Sequence, residues 1–153
     1  MSEILKINPD QPEREKILKA VAILKGGGIV AYPTETFYGL GVDVTRESAI
    51  KKLYDLKRRD YSSPIAVIVD SAETLAGYVQ EIPVQARELI DRFWPGPLTI
   101  LFKANEKISK SLTTNTGKIG ARGSSHPVAE ALTQELGVPL TTTSANLSGL
   151  PPS

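Results

Sequence analysis

Short apolar runs alternate with stretches of helical spacing along most of the chain, and few architectures accept that order. The spacing predicts a first helix opening at Pro12, with Asp10 or Gln11 near its cap and Ile17, Leu18, Val21 and Leu24 on its apolar rows. Gly26-Gly27-Gly28 closes it, because glycine tolerates the left-handed backbone of helix exits. Residues 29–32 read as a short buried strand, which Pro33 keeps from continuing as a central one. A loop with two glycines over 34–41 leads to a second strand ending at Val42-Asp43-Val44. Thr45 is the expected cap of a helix over 46–57, with Ala49, Ile50, Leu53, Tyr54 and Lys57 on neighbouring rows. The run Ile65-Ala66-Val67-Ile68-Val69 is the most strand-like of all. Ser71 is placed to cap a short helix, and a longer one follows Pro83 with Ala86, Leu89, Ile90 and Phe93 on one face. Strands are expected at 98–102 and 119–122, on either side of a polar, mobile loop over 103–117. A helix over 127–136 turns Val128, Leu132 and Leu136 inward and stops at Gly137; a last strand covers 138–143. Segments alternating in this way form a twisted, largely parallel or mixed sheet with helices outside it.

Length and composition remove whole classes of function. A chain of 153 residues supports one sizeable core and not two substantial domains. No apolar run approaches the roughly 18 residues of a membrane-spanning helix. The opening Met1-Ser2-Glu3-Ile4 lacks the basic and apolar regions of an export signal, so a cytoplasmic protein without membrane association is expected. The absence of cysteine excludes disulfides, thiolate nucleophiles and cysteine zinc sites. His126 is the only histidine; beside Pro127 it fits a helix start better than a catalytic base. Neither a Gly-x-Ser-x-Gly elbow nor a Gly-x-x-x-x-Gly-Lys-Ser/Thr phosphate loop is present.

A net charge of +1 does not indicate a generally basic nucleic-acid binder. The charges are nevertheless clustered. Lys51, Lys52, Lys57, Arg58 and Arg59 face only Asp55 and Asp60 within one decade of sequence, and Lys107, Lys110, Lys118 and Arg122 share a stretch without acids. These patches either meet in an anion site or remain solvated surface. Lys57 and Arg59 combine a point charge with a planar fork, both suited to phosphate or carboxylate. Ser144 and Asn146 are two apart after a strand, so an extended backbone turns both to one side. They either bind phosphate and ribose or cap their own turn. Thr34 and Thr36 can orient a small polar substrate beside the carboxylate of Glu35, whereas Tyr32 and Phe37 fit core positions. Arg122 at a strand end pairs with a substrate carboxylate or with the covering helices. The segment 111–117, with Thr113, either closes over an anion or is an unspecialised loop.

Taken in order, several motifs resemble the YrdC/Sua5 family of threonylcarbamoyladenylate synthases. They are Gly28-Ile29-Val30-Ala31-Tyr32-Pro33-Thr34-Glu35-Thr36-Phe37-Tyr38-Gly39-Leu40-Gly41, Lys57-Arg58-Arg59, Phe93-Trp94-Pro95-Gly96-Pro97-Leu98-Thr99, Gly120-Ala121-Arg122 and Ser144-Ala145-Asn146-Leu147-Ser148-Gly149. The resemblance implies a YrdC-like α/β fold: a twisted mixed sheet with flanking helices and a concave positive cavity. It implies a nucleotidyltransferase that joins L-threonine, bicarbonate or CO2, and ATP into threonylcarbamoyl-AMP with release of pyrophosphate. A partner transferase complex would then modify adenosine 37 of tRNA, with direct tRNA contact possible. By the same resemblance Lys57 and Arg59 are catalytic and bind ATP phosphates with Ser144 and Asn146. Thr34, Thr113, Arg122, Ser144 and Asn146 bind substrate. Magnesium is expected with ATP and no protein-bound metal site.

This chain departs from the family pattern at Asp60 and over Gly123-Ser124-Ser125-His126, where relatives carry proline. Family members also continue past the Ser-x-Asn loop into a further strand and a Ser-Thr-Val-like motif. The 153 residues are therefore expected to form one YrdC-like domain lacking those last strands. Three other functions compete: an RNA-binding module, a carbamoyl-adenylate transfer domain of the hydrogenase-maturation type, and a threonine- or ATP-binding remnant without turnover.

Overall fold

The computed structural model describes residues 3–58, 64–113 and 116–144. The chain runs α1 (Arg14–Lys25), β1 (Val30–Pro33), β2 (Tyr38–Gly41), α2 (Glu47–Lys57), β3 (Ala66–Ile68), α3 (Ala72–Ala76), α4 (Val84–Phe93), β4 (Ile100–Lys103), α5 (Lys110–Thr113), β5 (Lys118–Arg122), α6 (Pro127–Leu136) and β6 (Leu140–Ser144). The strands form one six-stranded sheet in the order β1-β2-β6-β3-β5-β4. Only β3 and β5 run parallel; the other pairings are antiparallel, so the sheet is mixed rather than largely parallel.

Strand alternation splits the core into two. Val67 and Ile68 are neighbours on β3 and point to opposite faces. Val67 joins Ile50 and Leu53 of α2, Leu75 of α3, Ile90 of α4 and Leu112 of α5. Ile68 joins Leu24 of α1, Leu132 and Leu136 of α6, Leu140 of β6 and Tyr32 of β1. Helices therefore cover both faces of the sheet, as the alternation of segments predicts. The strand carrying Pro33 lies at the sheet's edge, where a missing N–H costs no ladder bond.

Several local expectations differ from what folds. The first helix starts at Arg14, two residues after Pro12. Thr45 does not cap α2: its hydroxyl donates to Asp43 Oδ1 at 2.6 Å, and Arg46 takes the cap position without a side-chain bond. Asp43 Oδ1 accepts from the Thr45 N–H too, at 2.8 Å, so both donors of Thr45 are taken by the tighter turn. On α4 only Ala86 and Ile90 are buried, while Leu89 and Phe93 face solvent. The stretch read as a loop over 103–117 contains α5 and buries Ile108 and Leu112. The loop read over 34–41 gives half its length to β2. Ser71 does cap α3, accepting from the Thr74 N–H at 3.2 Å. His126 starts α6, its Nδ1 accepting from the Val128 N–H at 3.1 Å.

The glycines of β2 permit close packing. A Cβ on Gly41 would lie 2.7 Å from both Leu140 Cδ1 and Tyr32 Cε1. Gly41→Ala is accordingly expected to cost about 1–3 kcal/mol through overpacking. Urea unfolding checks this, and an unchanged midpoint would show that the hairpin yields without cost. Among the described residues no helix is long and apolar enough to cross a membrane.

Candidate active site

Helix α2 buries Ala49, Ile50, Leu53, Tyr54 and Lys57, the stripe expected from the spacing. Lys57 is thus the last member of an apolar row, its methylenes packed and its ammonium delivered to the sheet. The residue is 2% exposed. Its Nζ donates to the Thr143 hydroxyl at 3.0 Å and to the Ser144 carbonyl at 2.5 Å, with Ser144 Oγ at 3.4 Å. Arg58 then ends the helix in the left-handed region, φ 51. A cation at this point also faces the negative end of the helix dipole.

Strand register brings the β1–β2 turn to the same place. Gly39 of β2 lies opposite Ser144 of β6. The Thr34 hydroxyl builds the turn: it donates to the Phe37 carbonyl at 2.5 Å and accepts from the N–H groups of Thr36 and Phe37, each at 3.2 Å. Tyr32, buried beneath, donates its hydroxyl to the Thr141 carbonyl at 2.8 Å and so ties β1 to β6. Burial pushes its phenol well above the ordinary range.

Glu35, within that turn, reaches the end of β5. Arg122 Nη1 donates to Glu35 Oε1 at 2.9 Å, and the Ser124 hydroxyl donates to Glu35 Oε2 at 2.5 Å. Arg122 therefore pairs with the hairpin rather than with the covering helices. Thr113 sits on α5, its hydroxyl donating to the Lys110 carbonyl at 3.2 Å. α5 is fastened to α2 by the Tyr54 hydroxyl on the Ser111 carbonyl at 3.0 Å and by Ser111 on Glu47 at 3.1 Å. Thr113 also lines a cleft of about 550 Å³ with Glu47, Asn105 and Lys110. A second cleft of about 350 Å³ between α3, α4 and α6 has Ser124 in its wall. Lys57 and Arg122 line neither cleft.

Of the residues singled out in the sequence, Lys57 and Ser144 are in contact. Thr34 joins them through strand pairing, and Arg122 joins through Glu35. Arg59 and Asn146 lie outside the described residues. Sequence reasoning gave no role to Ser124 or Thr143 and no partner to Glu35. The available signal was that Glu35 is the only charge between Lys25 and Asp43. Among the described residues no group of three or more His, Cys, Asp or Glu is arranged to hold a metal ion.

Fold and side chains define an α/β protein whose buried cation and hydroxyls gather where two strands and a hairpin meet, a setting suited to an anionic ligand. Residues 22–153 match the Sua5/YciO/YrdC family, whose description reads "Telomere recombination", and the chain belongs to that family. It is 39% identical over 140 residues to a threonylcarbamoyl-AMP synthase of Vibrio parahaemolyticus, covering 90% of this chain and 74% of that protein. The structure of Pyrococcus abyssi Sua5 complexed with L-threonine superposes with a TM-score of 0.90 at 35% identity, covering 93% of this chain and 42% of that one. Escherichia coli YciO superposes at 0.88 with 28% identity, covering 98% of this chain and 73% of that one. The chain thus spans about three quarters of the bacterial proteins and less than half of the archaeal one.

Proposed function

We propose that this chain forms threonylcarbamoyl-AMP from L-threonine, bicarbonate or CO2, and ATP, as a cytoplasmic nucleotidyltransferase of tRNA modification. The observation that carries the reading is Lys57, a buried ammonium set against Thr143 and Ser144 at the end of β6. The named activity of the Vibrio relative and the threonine complex of the archaeal relative support it.

In this reaction the threonine amine adds to CO2 and loses a proton, giving a carbamate. A carbamate oxygen attacks the α-phosphorus of ATP. The bond to the bridging oxygen breaks, and pyrophosphate leaves with its electron pair. No protein nucleophile is needed. Two anionic reactants must be brought together, so aligned positive charge supplies most of the rate. Lys57 and Arg59 would neutralise the triphosphate and the carbamate. Ser144 and Asn146 would donate to the nucleotide, Arg122 would take the threonine carboxylate, and Thr34 and Thr113 would flank the amino acid. Magnesium would arrive on the ATP phosphates, where it retains its own waters.

A purified chain supplied with all three substrates should release pyrophosphate and yield an adenylate of the expected mass. Each should stop when threonine, bicarbonate or ATP is omitted. A folded chain that makes no adenylate overturns the assignment.

Hand-over to a transferase complex and direct contact with tRNA belong to the same proposal. Lys103 and Lys118 support the contact: both are exposed and lie directly opposite in the β4–β5 register. Like charges so placed repel each other unless an anion lies between them. Titration with tRNA should give binding that weakens steeply with salt, and Lys118→Gln should lower that slope by about one counterion. Salt-independent binding, or none, removes the RNA contact.

A further inference from the structure

We propose that Glu35 is a positioning residue for Arg122: with Ser124 it fixes the guanidinium by one corner and leaves the remaining N–H groups to a carboxylate ligand. The reading above enters only in naming that ligand as L-threonine.

The geometry of the pair carries the inference. Arginine–carboxylate pairs are frequently two-pronged, both oxygens accepting from one fork. Here Glu35 divides its oxygens. Oε1 accepts from Arg122 Nη1 at 2.9 Å, while Oε2 accepts from the Ser124 hydroxyl at 2.5 Å. Ser124 Oγ in turn accepts from the His126 N–H at 3.2 Å, so the carboxylate is anchored to the start of α6. The guanidinium carries five N–H donors. Among the described residues Glu35 is its hydrogen-bonding partner, and through one nitrogen only. Both side chains are largely buried, at 6% and 15% exposure, so neither is free to search for a ligand. A partly neutralised guanidinium whose other N–H groups make no hydrogen bond among the described residues is preorganised for a small carboxylate and less attractive to a multiply charged phosphate. That is the discrimination an amino-acid subsite beside a nucleotide subsite requires.

The test follows the Arg122 Nε–Hε resonance in 15N-labelled chain, assigned by its loss in Arg122→Lys. The parent should show one sharp resonance that moves when threonine is added. Glu35→Gln and Ser124→Ala should shift or broaden it, and Ser124→Thr, which keeps the hydroxyl, should restore it. Calorimetry should show threonine affinity falling at least about tenfold in Glu35→Gln and Ser124→Ala, the loss of one charge-assisted hydrogen bond, with ATP affinity unchanged. In turnover the same variants should raise the threonine KM and spare kcat.

An Arg122 resonance indifferent to both substitutions overturns the proposal. So does an altered resonance with threonine affinity intact. If the parent chain binds no threonine, the functional reading fails, and acetate replaces threonine as the probe. A response to acetate in the parent that is lost in Glu35→Gln then upholds the positioning role, and no response in the parent refutes it.

Discussion

Lys57→Met is expected to lower threonylcarbamoyl-AMP formation by about 100- to 1,000-fold, the range found when one preorganised donor to a developing anion is removed. Methionine suits the purpose because the lysine stem is packed in the α2 stripe and an unbranched apolar chain fills the same space. What disappears is the charge and the donors to Thr143 Oγ1 and the Ser144 carbonyl. Losing buried hydrogen bonds from a charged donor should cost about 1.5–3 kcal/mol of stability. Thermal unfolding will therefore show a modest loss, and the rate must be measured well below the lowered midpoint. Lys57→Arg should not rescue turnover, since a planar fork is larger than the enclosed ammonium it replaces. Single-turnover pyrophosphate release is the deciding measurement. A methionine variant within about tenfold of the parent, too small a loss for a donor of this kind, removes Lys57 from the chemistry.

The largest effect on folding is expected at Arg122. Removing one partner of a buried ion pair strands the other and typically costs about 3–5 kcal/mol. Arg122→Met should do so because, among the described residues, Glu35 would keep only Ser124 as a side-chain donor while largely shielded from water. For a domain of this size the corresponding drop in Tm is roughly 6–20 °C. Glu35→Gln combined with Arg122→Met should recover much of that loss, since neither charge is then stranded. Calorimetric unfolding of the parent, both single variants and the double variant closes the cycle. If the double variant loses the sum of the two singles, the residues are not coupled and the hairpin is held by something else.

How much could be read beforehand depends on whether the cause is local. The bounds of α6 were legible to the residue because Pro127 fits the first helical position and Gly137 takes the left-handed exit, φ 76. The α2 stripe was legible with Lys57 on its rows, but the spacing left open whether that cation faces a site or solvent, and burial was settled by the packing of α2 on the sheet. Thr45 misled because two acceptor patterns compete within three residues and the tighter turn wins. α5 was hidden because four residues in a polar stretch carry too little periodicity, although Ile108 and Leu112 were the isolated apolar residues there. The Arg122–Glu35 pair spans 87 positions. Charge complementarity suggests that each needs a partner, but nothing short-range says which. The family resemblance supplied the grouping of Lys57, Ser144 and Arg122; the connection of Arg122 to the hairpin came from strand pairing and the turn.

β6 is the final strand among the described residues, yet it lies between β2 and β3. Without it, β1–β2 and β3-β5-β4 are separate ribbons with no shared ladder. Completion of the sheet is therefore a wedging-in event rather than growth at a border, and it waits for β6. Partners that distant in sequence meet slowly. The same event delivers Thr143 and Ser144 to Lys57, so the cluster does not exist until β6 has entered the sheet. A ligand held by this cluster should then report the seating of β6, and its binding should lag behind compaction during refolding.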